Sequence, residues 1–214
     1  TVKKDYRLVT DPLALAALAT NLASATRIGM RVLCDGGAPT RAVITGLVFS
    51  TSSRQARFVP VAAAADATAP SAGTDGMFDF LGEEPAPPPV PSEEGGLPLA
   101  DVLAALKPIL ENEAVEKIGH DLKSDVIVLG RHGVTLRGLG LDTMLASYLL
   151  DATRTGHPLD GVALEHLGYR ALTDEDLCGR GAKAVRLTDL PPAKLLGYAG
   201  ERADLALQLS ERLR

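Results

Sequence analysis

The chain has 214 residues, of which 46% are hydrophobic, 23% charged and only 4% aromatic. That is enough apolar material for one substantial core, which excludes a disordered or fibrous chain, and no stretch reaches membrane-spanning length without charge or proline. The net charge of −5 argues against a nucleic-acid partner only until its distribution is considered: eight acidic residues and no Lys or Arg lie between Phe58 and Leu106, leaving 22 basic against 19 acidic residues elsewhere.

The charged start TVKKDYRLVT is followed by no apolar run, so no secretory leader is read there and the expected location is cytoplasmic. The absence of an initial Met suits a piece of a longer chain. DPLALAALATNLASA (11–25) has helical apolar spacing, with Asp11 placed to cap it and Pro12 in the first turn. IGMRVLCDGG, AVITGLVFS and ARFVPVA then read as three strands with short polar links, the pattern of an antiparallel meander. From about 64 to 97 the composition changes: GEEPAPPPVPSEEGG has the proline and acid content of a solvated extended segment. Within it, GMFDFLGEE carries Met77, Phe78, Phe80 and Leu81 among acids. It reads either as a loop that tucks these side chains onto the domain or as a short motif (76–84) docking on a partner.

LADVLAALKPILEN resumes as an amphipathic helix, and KIGHDLKSDVIVLGRHG gives a short strand and a helix starting near Asp121. GLGLDTMLASYLLDA is a strand-to-helix passage, LDGVALEHLGY another helix, and DLPPAKLLGYAGERADLALQLSERL a long closing one. Strands first and helices afterwards give an α/β domain spanning 1–214, with a Pro- and acid-rich insertion at about 64–97. Cys34 and Cys178 form no CxxC pair, and His120, His132, His157 and His166 show no metal-ligand spacing. The thiols read as reduced and buried, the histidines as surface or packing residues.

One detail of the last helix stands out: Tyr198 and Arg202 are four apart and share a face. Together with KIGHDLKSDVIVLGRHGVTLRGLGLDTMLASYLLDA (117–152), LDGVALEHLGY, the basic loop CGRGAK and, more loosely, GLVFSTSSRQARFVPVA and LKPILEN, the stretch YAGERADLALQL resembles the 3′–5′ exonuclease (proofreading) domain of bacterial DNA polymerase I, a family A polymerase. The resemblance implies a ribonuclease H-like fold of the DEDD exonuclease superfamily, a mixed central sheet flanked by helices. It also implies four acidic residues and a tyrosine: an acid-x-acid pair on the first strand, a third acid at a mid-domain helix, and a fourth one turn after the tyrosine. In such sites two divalent metals about 3.5–4 Å apart generate the attacking hydroxide and stabilise the leaving oxygen.

On that alignment the first-strand positions are held by Arg31 and Leu33, the middle acid by Asp125, and the last motif by Tyr198 with Arg202 in place of its acid. Asp121 replaces the family's asparagine and Ser124 its aromatic. Asp35 lies one step beyond the second strand position, about 6–7 Å away, and Asp204 is turned about 200° from Arg202 around the helix. One carboxylate cannot hold two metals. The resemblance with this departure implies a catalytically inactive, vestigial proofreading domain, needing no metal. It would serve a structural role for a polymerase domain of the same parent chain in DNA replication and repair, and a DNA-binding one toward a 3′ single strand.

Two arrangements of the altered site are open. In one, Arg31 and Arg202 form an ion cluster with Asp121 and Asp125, at least one arginine lying within salt-bridge distance of Asp125. In the other the cleft relaxes and the long side chains reach water. Arg180 and Lys183 of the CGRGAK loop are candidate DNA contacts or simply solvated charges. A competing reading is an active exonuclease dependent on Mg²⁺ or Mn²⁺ that uses Asp35, Asp121 and Asp125.

Overall fold

The computed structural model describes residues 3–62, 95–181 and 184–214. Six strands form one mixed sheet: β1 Asp5–Leu8, β2 Arg27–Cys34, β3 Ile44–Ser50, β4 Gln55–Pro60, β5 Glu116–Gly119 and β6 Leu139–Asp142, in the spatial order β1-β4-β3-β2-β5-β6. β2, β3 and β4 make the antiparallel meander, and β1, β5 and β6 add in parallel.

Strand alternation decides which helices cover which face. Ile28, Met30 and Val32 of β2 point to one side, where they pack with α1 (Pro12–Ser24), α2 (Leu99–Leu110) and α3 (Leu122–Arg131) in the larger core. The intervening positions Gly29, Arg31 and Leu33 face the other side, against α7 (Pro192–Arg212). There Leu33, Val48, Ala56 and Phe58 of the sheet meet Leu195, Tyr198, Ala199 and Ala203 of the helix. Small residues let α7 come close: a Cβ built at Gly29 would lie 2.3 Å from the Ala203 carbonyl oxygen, so this strand position admits only glycine without moving the helix. This close approach holds the Tyr198–Arg202 turn over the centre of the sheet.

Asp11 caps α1 by accepting the Ala14 N–H at 2.8 Å, and Pro12 sits in its first turn. α4 (Thr143–Leu150) follows β6 directly, and α5 (Leu159–Leu167) packs on α7. Two short elements escape the apolar pattern: β1, whose DYRL is half charged, and α6 (Asp174–Cys178), five residues held by a capping box between Thr173 and Asp176.

The described residues on either side of 63–94 meet at one place. Val61 bridges Leu97, the Ala62 N–H donates to the Leu97 carbonyl at 2.9 Å, and Leu97 is buried in the core. Leu97 therefore belongs to the rim of the sheet, beside Val61. Met77, Phe78, Phe80 and Leu81 lie outside the described residues, as does Lys183. Among the described residues no helix is long and apolar enough to cross a membrane.

Candidate active site

A cleft of about 490 Å³ opens between β2, the start of α3, α4, α6 and α7. Arg31, Leu33, Asp121, Asp125, Tyr198 and Arg202 all line it, so the fold brings together the six residues singled out at the motif positions. Asp35 is not among the lining residues. It is exposed beyond the end of β2, where its carboxylate accepts the Val43 N–H at 2.8 Å and closes the β2–β3 connection.

Asp125 projects from the first turn of α3 and is 1% exposed. Its Oδ1 accepts the Val32 N–H at 3.2 Å, and Arg31 Nη1 lies 3.4 Å away. Oδ2 is buried and has no partner among the described residues. Arg31 Nη1 also donates to the carbonyls of His120 (2.9 Å) and Asp121 (3.1 Å) and lies 3.8 Å from Asp121 Oδ2. Asp121 has left-handed backbone, φ +68, a region in which Asp is one of the few tolerated residues, and its Oδ2 accepts the Ser124 hydroxyl at 2.6 Å. One guanidinium thus ties the sheet to the start of α3.

Arg202 behaves differently from the four-membered ion cluster considered from sequence. It shares the cleft, but its Nη2 donates to the Leu172 carbonyl, and its guanidinium carbon lies 4.1 Å from the centre of the Tyr198 ring. Long helical side chains fold toward the preceding turn, where a cation and an aromatic face attract. Its Nε is buried without a partner among the described residues. Tyr198 is 7% exposed, and its hydroxyl is committed to Asp174 Oδ1 at 2.5 Å; burial raises its pKa. Arg180 lies outside the cleft lining and pairs with Glu175 at 2.5 Å.

Three contributors were not singled out from sequence. Asp142 caps α4 through the Met144 N–H (2.9 Å), and also accepts the Asp121 N–H (3.0 Å) and Leu122 N–H (2.7 Å), so one carboxylate joins two helix starts. The cue was present: an aspartate immediately before an apolar helical run. His120 and His157, expected on the surface or as packing residues, line the cleft. His120 lies 2.9 Å from Thr143 Oγ1 and 2.8 Å from the His157 carbonyl, and burial pushes its pKa down to about 4, so it is neutral at physiological pH. Nothing in their spacing reveals this, because loops bring them together.

Burial raises the Asp125 pKa to about 7 against the opposing pull of Arg31. An acid whose pKa rises from 3.8 to near 7 on folding stabilises the fold below about pH 3.8. That contribution is lost as pH rises through 7, at about 1.4 kcal/mol per pH unit for one proton. The stability difference between wild type and Asp125→Asn is therefore expected to shift in favour of the variant between pH 5 and 7 and to level off above pH 8. A difference independent of pH in urea unfolding would contradict an elevated Asp125.

Among the described residues no group of three or more His, Cys, Asp or Glu is placed to hold a metal ion. A mixed six-stranded sheet with a cleft at the end of β2 and a long helix across it defines the class: a ribonuclease H-like, exonuclease-type domain. Residues 99–199 match the family model described as DNA polymerase I, ribonuclease H-like domain, and the chain belongs to that family, the 3′–5′ exonuclease domain of DNA polymerase I. It is 31% identical to DNA polymerase I of Pseudomonas aeruginosa over 98% of its own length, and it spans about a fifth (20%) of that relative. Two solved structures share the fold. The POL domain of Pol1 from M. smegmatis, in complex with DNA primer-template and dNTP, aligns with a TM-score of 0.61 at 20% identity, covering 97% of this chain and 27% of that one. RNase D from Trypanosoma brucei aligns with a TM-score of 0.64 at 18% identity, covering 99% and 65%.

Proposed function

We propose that this exonuclease-type domain carries out no metal-dependent hydrolysis. It acts as a structural module of a DNA polymerase I, supporting a polymerase domain of the same parent chain in replication and repair. The observation that carries the reading is the Arg31–Asp125 contact of 3.4 Å. A cation of the chain itself stands beside the one retained carboxylate, where a divalent metal would need several oxygen ligands and no neighbouring positive charge. The residues present do not fit a two-metal centre: Arg31, Leu33 and Arg202 supply no carboxylate, Asp35 is turned to Val43, and the Tyr198 hydroxyl is taken by Asp174.

The test is degradation of a 5′-labelled single strand by the purified 214-residue chain in Mg²⁺ or Mn²⁺, beside Asp125→Ala. Equal, background-level cleavage by both proteins is expected. Cleavage by the wild type that disappears in the variant would mean that the acids of this cleft still assemble a metal site, and would overturn the proposal in favour of an active exonuclease.

A further inference from the structure

At the opposite end of α7 lies a second cleft of about 830 Å³, which shares no lining residue with the candidate active site. Four cations line it: Lys3, Lys4, Arg54 and Arg212. Lys4 is used internally, donating to Glu201 Oε1 at 2.7 Å and to the Tyr169 hydroxyl at 2.5 Å. Lys3, Arg54 and Arg212 are exposed, and their side chains make no ion pair or hydrogen bond with any described residue. Of the acids, Asp204 is 1% exposed and already accepts from Tyr6 Oη (2.6 Å), the Arg54 N–H (2.8 Å) and Gln208 Nε2 (2.8 Å). Glu211 is left as the one acid of the lining without such partners among the described residues. The cleft therefore presents an excess of uncommitted positive charge over an apolar floor that includes Leu167 and Leu205.

Its aromatic wall is held in place. The Tyr169 hydroxyl donates to Glu201 Oε1 at 2.6 Å and accepts from Lys4, whose Nζ lies 4.6 Å from the ring centre. The Arg54 turn is held as well, because its backbone N–H is bound to Asp204 on α7. Unpaired cations beside a fixed aromatic ring, in a cleft of pocket size, match the chemistry of a nucleotide: phosphate oxygens on the cations and a base against the ring.

We propose that this cleft binds a nucleotide unit, its phosphates on Lys3, Arg54 and Arg212 and its base against Tyr169 and Leu167. Single-stranded DNA and a free nucleotide both offer this chemistry. The site is separate from the former metal cleft and does not depend on whether that cleft is catalytic.

The experiment is fluorescence anisotropy of a labelled twelve-residue oligo-dT with the full 214-residue chain, without divalent metal, across a salt series, with dTTP as competitor. Arg54→Gly together with Arg212→Gln removes two cations. The glycine also suits the φ of +66 at position 54, and thermal unfolding verifies the fold. Binding is expected to weaken at least about fivefold at 50 mM salt, and the slope of log K against log salt to fall by about 1.4, roughly 0.7 for each phosphate that is no longer neutralised. Lys3→Gln alone is expected to move the slope the same way by about half as much. Displacement by equimolar dTTP assigns a free nucleotide; retention of the oligonucleotide in excess dTTP assigns the strand. No binding of either ligand overturns the proposal. So does binding that is unchanged in the double variant and abolished in Arg202→Gln, which would place the strand in the other cleft.

Discussion

Replacing Arg31 with alanine lowers the unfolding free energy by about 3 kcal/mol at pH 8, the range for removing one partner of a buried ion pair. Asp125 is 1% exposed and has one oxygen with no partner among the described residues, so without the guanidinium its carboxylate must either stay charged in an apolar setting or take up a proton. The carbonyls of His120 and Asp121 lose their donor in the same substitution. The effect is conditional on the charge at position 125. In an Asp125→Asn background the same Arg31→Ala change is expected to cost about 2 kcal/mol less, and urea unfolding of the four proteins measures this coupling directly. Additive effects would show that Arg31 acts only through packing and carbonyl hydrogen bonds, and that its position beside Asp125 is incidental.

A comparable loss, about 3 kcal/mol, is expected for Glu201→Ala, a residue outside the catalytic motif pattern. Glu201 is 2% exposed; one oxygen accepts from Lys4 and Tyr169, and the other accepts the Leu172 N–H at 2.6 Å. Alanine leaves a cation, a hydroxyl and an amide without this acceptor. Leu172 is gripped from both sides by neighbours in sequence, its N–H by Glu201 and its carbonyl by Arg202. Loss of Glu201 therefore also loosens the segment whose carbonyl holds Arg202. Glu201→Gln, which keeps an acceptor oxygen, is expected to recover roughly half of that stability in urea unfolding. An alanine variant within about 1 kcal/mol of wild type would show that water replaces these partners at little cost.

The arginines of the motif positions end in different roles because their backbones differ. Arg31 comes from a central strand whose side chains alternate strictly, so it must face α7 and the cleft, where the start of α3 offers carboxylates and carbonyls. Arg202 comes from a helix and lies back along its own axis onto Tyr198, within reach of a carbonyl in the α5–α6 connection. Two arginines that bring the same charge into one cleft thus solve separate problems of burial.

Periodicity alone determined the meander, the helices after it and the long closing helix, because each is an apolar repeat long enough to show its period. It also fixed the local placement of the residues compared with the family motif: Arg31 and Leu33 on one strand face, Asp125 in a first helical turn, and Tyr198 one turn before Arg202 are all local spacings. β1 and α6 were not legible, since four or five half-charged residues have no period and are held by partners distant in the chain or by a cap. The same holds for partner choice. Arg31 taking Asp125, Arg202 taking Leu172, His120 meeting His157 and Glu201 meeting Lys4 each join segments separated by loops or by most of the chain. Side-chain type and local spacing say which groups need a partner once buried. Only the packing of the helices and loops on the sheet decides which partner lies within about 3–4 Å, because hydrogen bonds and ion pairs are short-ranged and the chain segments that supply them are not local.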